Sequence, residues 1–305
     1  MDFADEIKSA KPELSANSIK TYNVILKKLY KDIFGDTTTP DTDNFLNVAR
    51  IMAHLREAPV QTRKTKLSAV MVLAPTPEYR AQISADIIES KKQTDRSVMT
   101  EKLEASEITP EQMRTVSAAL KQDAAALYKK ATLTPKNIQD IQNHIIISLY
   151  HGHIAPRRAI DFTEMVLLPA DEATENYIDM KKSKFVFNKY KTSGTYGTQE
   201  IAIPVALKKI IKKWLPLIPE GTNHLLFNAN REPLTNVTLN QRLTEIFGPG
   251  RGVNSIRHLY LTQNHAETIR GEDRLATDMN AMGSSIRQAR SYIKVNPKND
   301  IEASV

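Results

Sequence analysis

Arg257 and His258 lie in the stretch Gly252-Val253-Asn254-Ser255-Ile256-Arg257-His258-Leu259-Tyr260, and 35 residues past that arginine comes Ser291-Tyr292-Ile293-Lys294. A guanidinium is permanently charged and offers forked donors to phosphate oxygens. A tyrosine hydroxyl can attack phosphorus and form a covalent ester. The pair reads as an arginine and a tyrosine held against one phosphate. Upstream, Pro156-Arg157-Arg158-Ala159-Ile160-Asp161 supplies two more guanidiniums and a carboxylate. The proline pins the chain at a helix entrance, so both arginines are expected in the first turn. A cation there opposes the helix dipole, which points to a role other than helix stability. An Arg158 to Asp161 ion pair is the purely structural alternative. Lys191, in the polar turn from Asn188 to Gln199, is a cation on a hairpin that can carry a proton to a leaving oxygen, with Lys189 as the alternative.

The elements that position these residues follow from length and pattern. At 305 residues, with 41% hydrophobic and 25% charged residues, the chain is long enough for two domains with separate cores. No apolar run approaches the roughly 20 residues that cross a bilayer, and Met1-Asp2-Phe3-Ala4-Asp5-Glu6 lacks the features of a signal peptide. A soluble, intracellular protein with no membrane partner is expected. The absence of cysteine excludes disulfides, thiolate catalysis and cysteine zinc sites. The pair in His151-Gly152-His153 is read as incidental, so no metal and no cofactor is expected. A net charge of +7 and a pI near 9.3 favour a polyanionic partner.

From Ser15, a helix N-cap, apolar residues fall at Ile19, Tyr22, Ile25, Leu26, Leu29, Tyr30 and Ile33, at the spacing of an amphipathic helix. A second helix is expected through Phe45, Val48, Ile51, Met52 and Leu55. A third opens in Arg63-Lys64-Thr65-Lys66, and a fourth runs from Pro77 to Lys92. This predicts a four-helix domain over residues 1–100, with Lys20, Lys27, Arg63, Lys64 and Lys66 as candidate contacts to a DNA backbone. Polar residues 93–107 form the linker. The second domain, over 107–305, should hold helices near 110–130, 135–151, 205–215 and 235–247. A small antiparallel sheet is expected from Asn176 to Met180, Lys184 to Phe187 and Glu200 to Pro204.

Taken in order, these boxes resemble the tyrosine recombinases, the phage-type integrases, and the resemblance covers nearly all of the chain. Ser15 to Tyr22 resembles the first helix of that family's core-binding domain. Pro156 to Asp161 and Asn254 to Leu261 resemble its two arginine boxes, and Met282-Gly283-Ser284-Ser285-Ile286 through Tyr292 resembles the segment leading to its nucleophile. The double arginine after proline, and the turn ending in Ile201-Ala202-Ile203-Pro204, are most similar to integrases of large DNA viruses and related mobile elements.

The resemblance implies a mainly α fold: a helical core-binding domain, then a mixed α/β catalytic domain with a small sheet. It implies DNA integration or recombination through a 3'-phosphotyrosyl intermediate, on double-stranded DNA as a homotetramer, wherever the target DNA lies, in nucleus or in viral or bacterial cytoplasm. Arg158 and Arg257 would clamp the scissile phosphate, with Arg157 in reserve. Lys191 would protonate the leaving oxygen and Tyr292 would attack phosphorus. Asp161 and His258 would support them. Two positions depart from the family. Asn254 stands where histidine is usual three residues before the second arginine, and Ser284 stands where histidine usually follows the glycine of the last box. Neither replacement can act as a base near neutral pH. Two other readings remain: a type IB topoisomerase-like enzyme, and a DNA-binding protein that descends from a recombinase and has lost cutting.

Overall fold

The computed structural model describes residues 1–95, 104–285 and 288–289. The chain divides into two compact units, Met1–Thr100 and Glu101–Val305.

The first unit is helical: α1 (Ala4–Ala10), α2 (Ala16–Phe34), a 3-10 turn (Thr42–Leu46), α3 (Val48–Leu55), α4 (Val60–Leu73) and α5 (Pro77–Asp95). Ser15 caps α2 by accepting the Ser18 amide at 3.2 Å. Among the described residues there are five helices here, against the four expected. The extra one, α1, is only seven residues long and buries Ile7 alone, too little for a periodic pattern. The expected second helix is broken at Asn47, whose side chain caps α3 by accepting the Arg50 amide at 3.2 Å. Phe3, Ile7, Leu26, Phe45, Ile51, Leu67 and Tyr79 form the core. Burial pushes the Tyr79 hydroxyl up to about 12, and it donates to the Phe45 carbonyl at 2.8 Å.

Arg63 belongs to this interior. Its Nε donates to both oxygens of Asp86 at 3.2 and 3.0 Å, and its Nη1 donates to the carbonyls of Arg56 and Ala58. Asp86 is 2% exposed. Burial pushes its carboxyl up, and the bonds from Arg63 and Gln82 outweigh that, leaving it below the ordinary carboxylate value. The donors of Arg63, expected at a DNA backbone, are thus spent clamping α4 to α5. Lys20 is exposed, and Lys27, Lys64 and Lys66 are half-buried.

The second unit contains α6 (Pro110–Leu127) and α7 (Pro135–Tyr150), each opened by a threonine capping box with proline in the first turn. A five-residue helix α8 (Ala159–Thr163) follows. The sheet order is β1 (Met165–Val166), β2 (Asn176–Asp179), β3 (Lys184–Phe187), β4 (Gln199–Ala202). The expected antiparallel strands pair as β2–β3–β4, and β1 adds a short parallel edge, so the sheet is mixed. Between β3 and β4 the polar turn contains a one-turn helix, α9 (Ser193–Tyr196). Then come α10 (Val205–Trp214), α11 (Asn236–Phe247) and α12 (Val253–Ala281). The core gathers Ile141, Ile145, Phe162, Phe185, Trp214, Leu239 and Ile256. A mainly helical chain with one small sheet is the architecture that the resemblance implied. No described helix is long and apolar enough to cross a membrane.

Candidate active site

Arg157 and Arg158 do not enter the helix. Arg158 is the N-cap of α8 in extended conformation, and its carbonyl accepts the Asp161 amide at 3.1 Å. Extended backbone sends adjacent side chains to opposite sides, and the two arginines have different fates. Arg157 is 13% exposed. Its Nε donates to Asp161 Oδ2 at 2.7 Å, its Nη1 donates to Gln199 Oε1 at 2.7 Å, and its guanidinium lies 4.0 Å from the Phe187 ring centre and 4.9 Å from that of Tyr190. The structural ion pair exists, but with Arg157 instead of Arg158. Burial raises the Asp161 carboxyl above its ordinary value against the opposing charge of Arg157, and its Oδ1 has no hydrogen-bond partner among the described residues. Arg158 is half-buried, and no hydrogen bond or ion pair holds its side chain among the described residues.

Arg257 stands in the second turn of α12, whose start is fixed by α11. Asn240 Oδ1 accepts the Val253 amide at 3.0 Å, and it occupies the space beside Gly252, where a Cβ would lie only 2.3 Å from that oxygen. The flanking Arg251 donates to the Glu107 carbonyl at 2.7 Å and the Phe247 carbonyl at 3.2 Å. Val253, Ile256 and Leu259 are buried, so the helix is seated by its apolar stripe, with Arg257 half-buried beside it. No bond to the Arg257 side chain exists among the described residues.

The two arginine segments meet at Tyr150. This fully buried residue ends α7, and its hydroxyl makes a long 3.5 Å contact to the Arg158 carbonyl. Burial drives its pKa well above the ordinary value; the Asp161 charge adds to that and the Arg257 charge opposes it. Both α8 and α12 therefore present charge to one phenol. Tyr150 reads in the sequence as the end of an apolar helix stripe, and nothing in its spacing marks it.

Asn176, 1% exposed at the start of β2, ties the Lys191 segment to α8. Its Oδ1 accepts the amides of Asn188 and Lys189 at 2.9 and 2.8 Å, and its Nδ2 donates to the carbonyls of Lys189 at 2.8 Å and Asp161 at 3.3 Å. The Tyr190 hydroxyl donates to the Gly197 carbonyl at 2.7 Å, closing the turn from inside. Lys189 pairs with Glu164 at 2.9 Å, whereas Lys191 is exposed and unpaired among the described residues. The sequence signal for Asn176 was a polar residue opening an apolar strand, which is weak.

Asn254 is exposed on the first turn of α12, and His258 is exposed one turn further on. Ser284 is half-buried; its hydroxyl donates to Gln288 Oε1 at 2.6 Å and its amide to the Met279 carbonyl at 2.8 Å. Tyr292 lies outside the described residues. Among the described residues, no group of three or more histidines, aspartates and glutamates is arranged to hold a metal ion.

No protein-family model and no curated protein matches this chain. Among solved structures, it is similar over nearly its whole length to recombinases of the Xer kind. XerA recombinase aligns over 99% of this chain and 95% of its own, at 12% identity and a TM-score of 0.37. XerH site-specific recombinase bound to its difH substrate, in a pre-cleavage complex, aligns over 86% and 75%, at 14% identity and a TM-score of 0.42. XerH on a palindromic difH substrate, in a post-cleavage complex, aligns over 98% and 82%, at 14% identity and a TM-score of 0.43.

Proposed function

We propose that this chain is a site-specific DNA recombinase that breaks and rejoins strands through a covalent phosphotyrosine. The observation that carries this reading is the pair Arg158 and Arg257. They come from distant parts of the chain, both half-buried and unpaired among the described residues, and their segments converge on one buried phenol. Each guanidinium keeps its donors free for an anion, because no protein carboxylate among the described residues takes them. Two of them on one locus fit a phosphate, whose equatorial oxygens gain charge as the transition state forms.

In this mechanism the Tyr292 Oη loses its proton to solvent and attacks phosphorus, and the bond from phosphorus to O5' breaks. Lys191 gives its proton to that oxygen, and the chain is left as a 3'-phosphotyrosyl ester. A 5'-hydroxyl then attacks the ester and releases the tyrosine, so the bond energy is conserved and no nucleotide is hydrolysed. Arg157 acts as a positioning residue, since its bonds to Asp161 and Gln199 link α8 to β4. The helical unit 1–100 clamps the duplex with Lys20, Lys27, Lys64 and Lys66, and the protein works as a homotetramer on two DNA segments.

The test is a nicked suicide substrate carrying the authentic DNA end. A denaturation-resistant protein–DNA adduct is expected, and it should vanish in Tyr292→Phe. An adduct that persists in that variant moves the nucleophile elsewhere. No adduct on any authentic end, with DNA binding intact, favours a binding protein that no longer cuts, the reading that Asn254 and Ser284 bring forward. Relaxation of supercoils by a monomer would favour a topoisomerase.

A further inference from the structure

Among the described residues of the second unit, a concentration of unpaired charge lies away from Lys191. From Ile201 to Pro219 the sequence has no acidic residue and four lysines, Lys208, Lys209, Lys212 and Lys213, all on α10. The helix turns Leu207, Ile211 and Trp214 into the core, which leaves the lysines at i, i+1, i+4 and i+5 along one outer face. Lys208 donates to the Ser183 hydroxyl, so the turn before β3, with exposed Lys181 and Lys182, is held against the start of this stripe. Asp179, the carboxylate of that turn, accepts the Lys182 amide at 2.8 Å. At the other end Lys213 lies 6.0 Å from the Tyr128 ring centre. Among the described residues none of these six lysines has an ion pair.

Strand register separates this face from the candidate active site. Lys184 pairs with Ala202 and Phe187 with Gln199. The turn at 180–183 and the start of α10 therefore lie at the Ala202 end of the sheet, whereas Lys191 follows the Gln199 end. A four-residue strand puts the two ends about 10 Å apart.

We propose that the lysine face of α10 and the β2–β3 turn binds the phosphate backbone of a second DNA duplex, separate from the duplex that is cut. The proposal rests on the reading that the chain acts on DNA. Like charges at i, i+4 destabilise a helix, and here two such pairs stand side by side with no acid to offset them. Protein interfaces are depleted in lysine and enriched in aromatic residues and arginine, and this face offers point charges on flexible stems. Duplex DNA, with about one negative charge per 1.7 Å of axis, matches a row of such charges without requiring base contacts.

The test uses the full chain and a short fluorescent duplex with no recombination site, titrated at several KCl concentrations, with sedimentation velocity to count duplexes per protomer. Two duplexes per protomer are expected for the unaltered protein. One is expected for Lys209→Gln/Lys212→Gln/Lys213→Gln, with the slope of log K against log salt shallower by about 2–3. The matching arginine variant should keep the second duplex, and adduct formation on the nicked substrate should be unchanged in both. An unchanged stoichiometry and slope in the glutamine variant would overturn the proposal. So would loss of adduct in step with binding, which assigns the lysines to the cut duplex. Capture of phosphatidylserine vesicles without a second duplex would overturn it in favour of a lipid surface. If the unaltered protein forms no adduct, yet the glutamine variant loses the second duplex, the catalytic reading fails and this one stands.

Discussion

Two adjacent arginines should fail in opposite ways. Arg157→Ala strips two 2.7 Å bonds and the contacts to Phe187 and Tyr190, and leaves Asp161, 2% exposed, without a bonded cation. Removing one side of a buried pair costs about 3–5 kcal/mol, which lowers Tm by about 6–20 °C in a domain of this size. Protonation of Asp161 limits that cost and gives the variant a pH signature. Burial already raises the folded-state pKa above 3.8, so the folded state binds more protons and stability falls as pH rises through the window between the two values. Without Arg157 the folded value rises further and the window widens. The deficit in Tm relative to the unaltered protein should therefore be small at acidic pH, where Asp161 is neutral in both, and full at alkaline pH. Arg158→Ala loses no bonded contact, because the Asp161 amide bonds the backbone carbonyl of residue 158. Its Tm should stay within about 2 °C while cleavage falls about 10²–10³-fold. Differential scanning fluorimetry across pH, paired with adduct yield on the nicked substrate, separates the two. Equal losses of Tm in both variants, or normal cleavage by a folded Arg158→Ala protein, would refute the division of roles.

Three further outcomes are expected. Asn254→His should raise the cleavage rate, up to about 10²-fold, with a new titration in the pH–rate profile near the histidine range; an unchanged rate and profile would mean that the site is built around asparagine. Gly252→Ala should cost about 0.5–2 kcal/mol, because the new Cβ displaces the Asn240 cap, and the cost should shrink in an Asn240→Ala background; full additivity in that double-mutant cycle would sink the idea. Asp86→Asn should lower the Tm of the first unit by about 12–24 °C near neutral pH, for a loss of about 3 kcal/mol. The Asp86 pKa is depressed in the fold, so its contribution is present above the unfolded value and fades as pH falls through the folded one; a deficit that does not shrink on acidification would contradict that linkage.

Periodic features were legible in the sequence. The 3-4 spacing after Ser15 and the alternation in β2 and β3 each report local physics, and each element formed where that pattern lay. What failed to show was settled by contacts across the chain. Arg63 sits in a basic run and looks solvated, yet its partner Asp86 is 23 residues away on another helix, so no local pattern marks the pair. Spacing offered an Arg158 to Asp161 pair as the structural alternative, but Arg158 caps α8 in extended conformation, and the neighbouring Arg157 makes the bond. Tyr150, Asn176 and Asn240 act by bonding backbone or receiving charge from remote segments. Composition cannot distinguish such residues from ordinary core or surface ones.

The two departures at Asn254 and Ser284 bear on which step limits the chemistry. A phosphoryl transfer of this kind needs charge on the non-bridging oxygens, a proton for the leaving oxygen and a nucleophile that sheds its own proton. Arg158, Arg257 and Lys191 can serve the first two needs, since all three cations are unpaired among the described residues. Neither Asn254 nor Ser284 can serve the third, because an amide and a hydroxyl do not take up a proton near neutral pH. Asn254 is exposed on the first turn of a long helix. In the proposed mechanism the proton of the nucleophile must then leave to solvent. Cleavage by this protein should accordingly accelerate with pH well above neutrality, towards the tyrosine range, whereas an enzyme with a histidine at the position of Asn254 would level off near the histidine pKa. A rate that is flat from neutral to alkaline pH would place the proton acceptor on another residue.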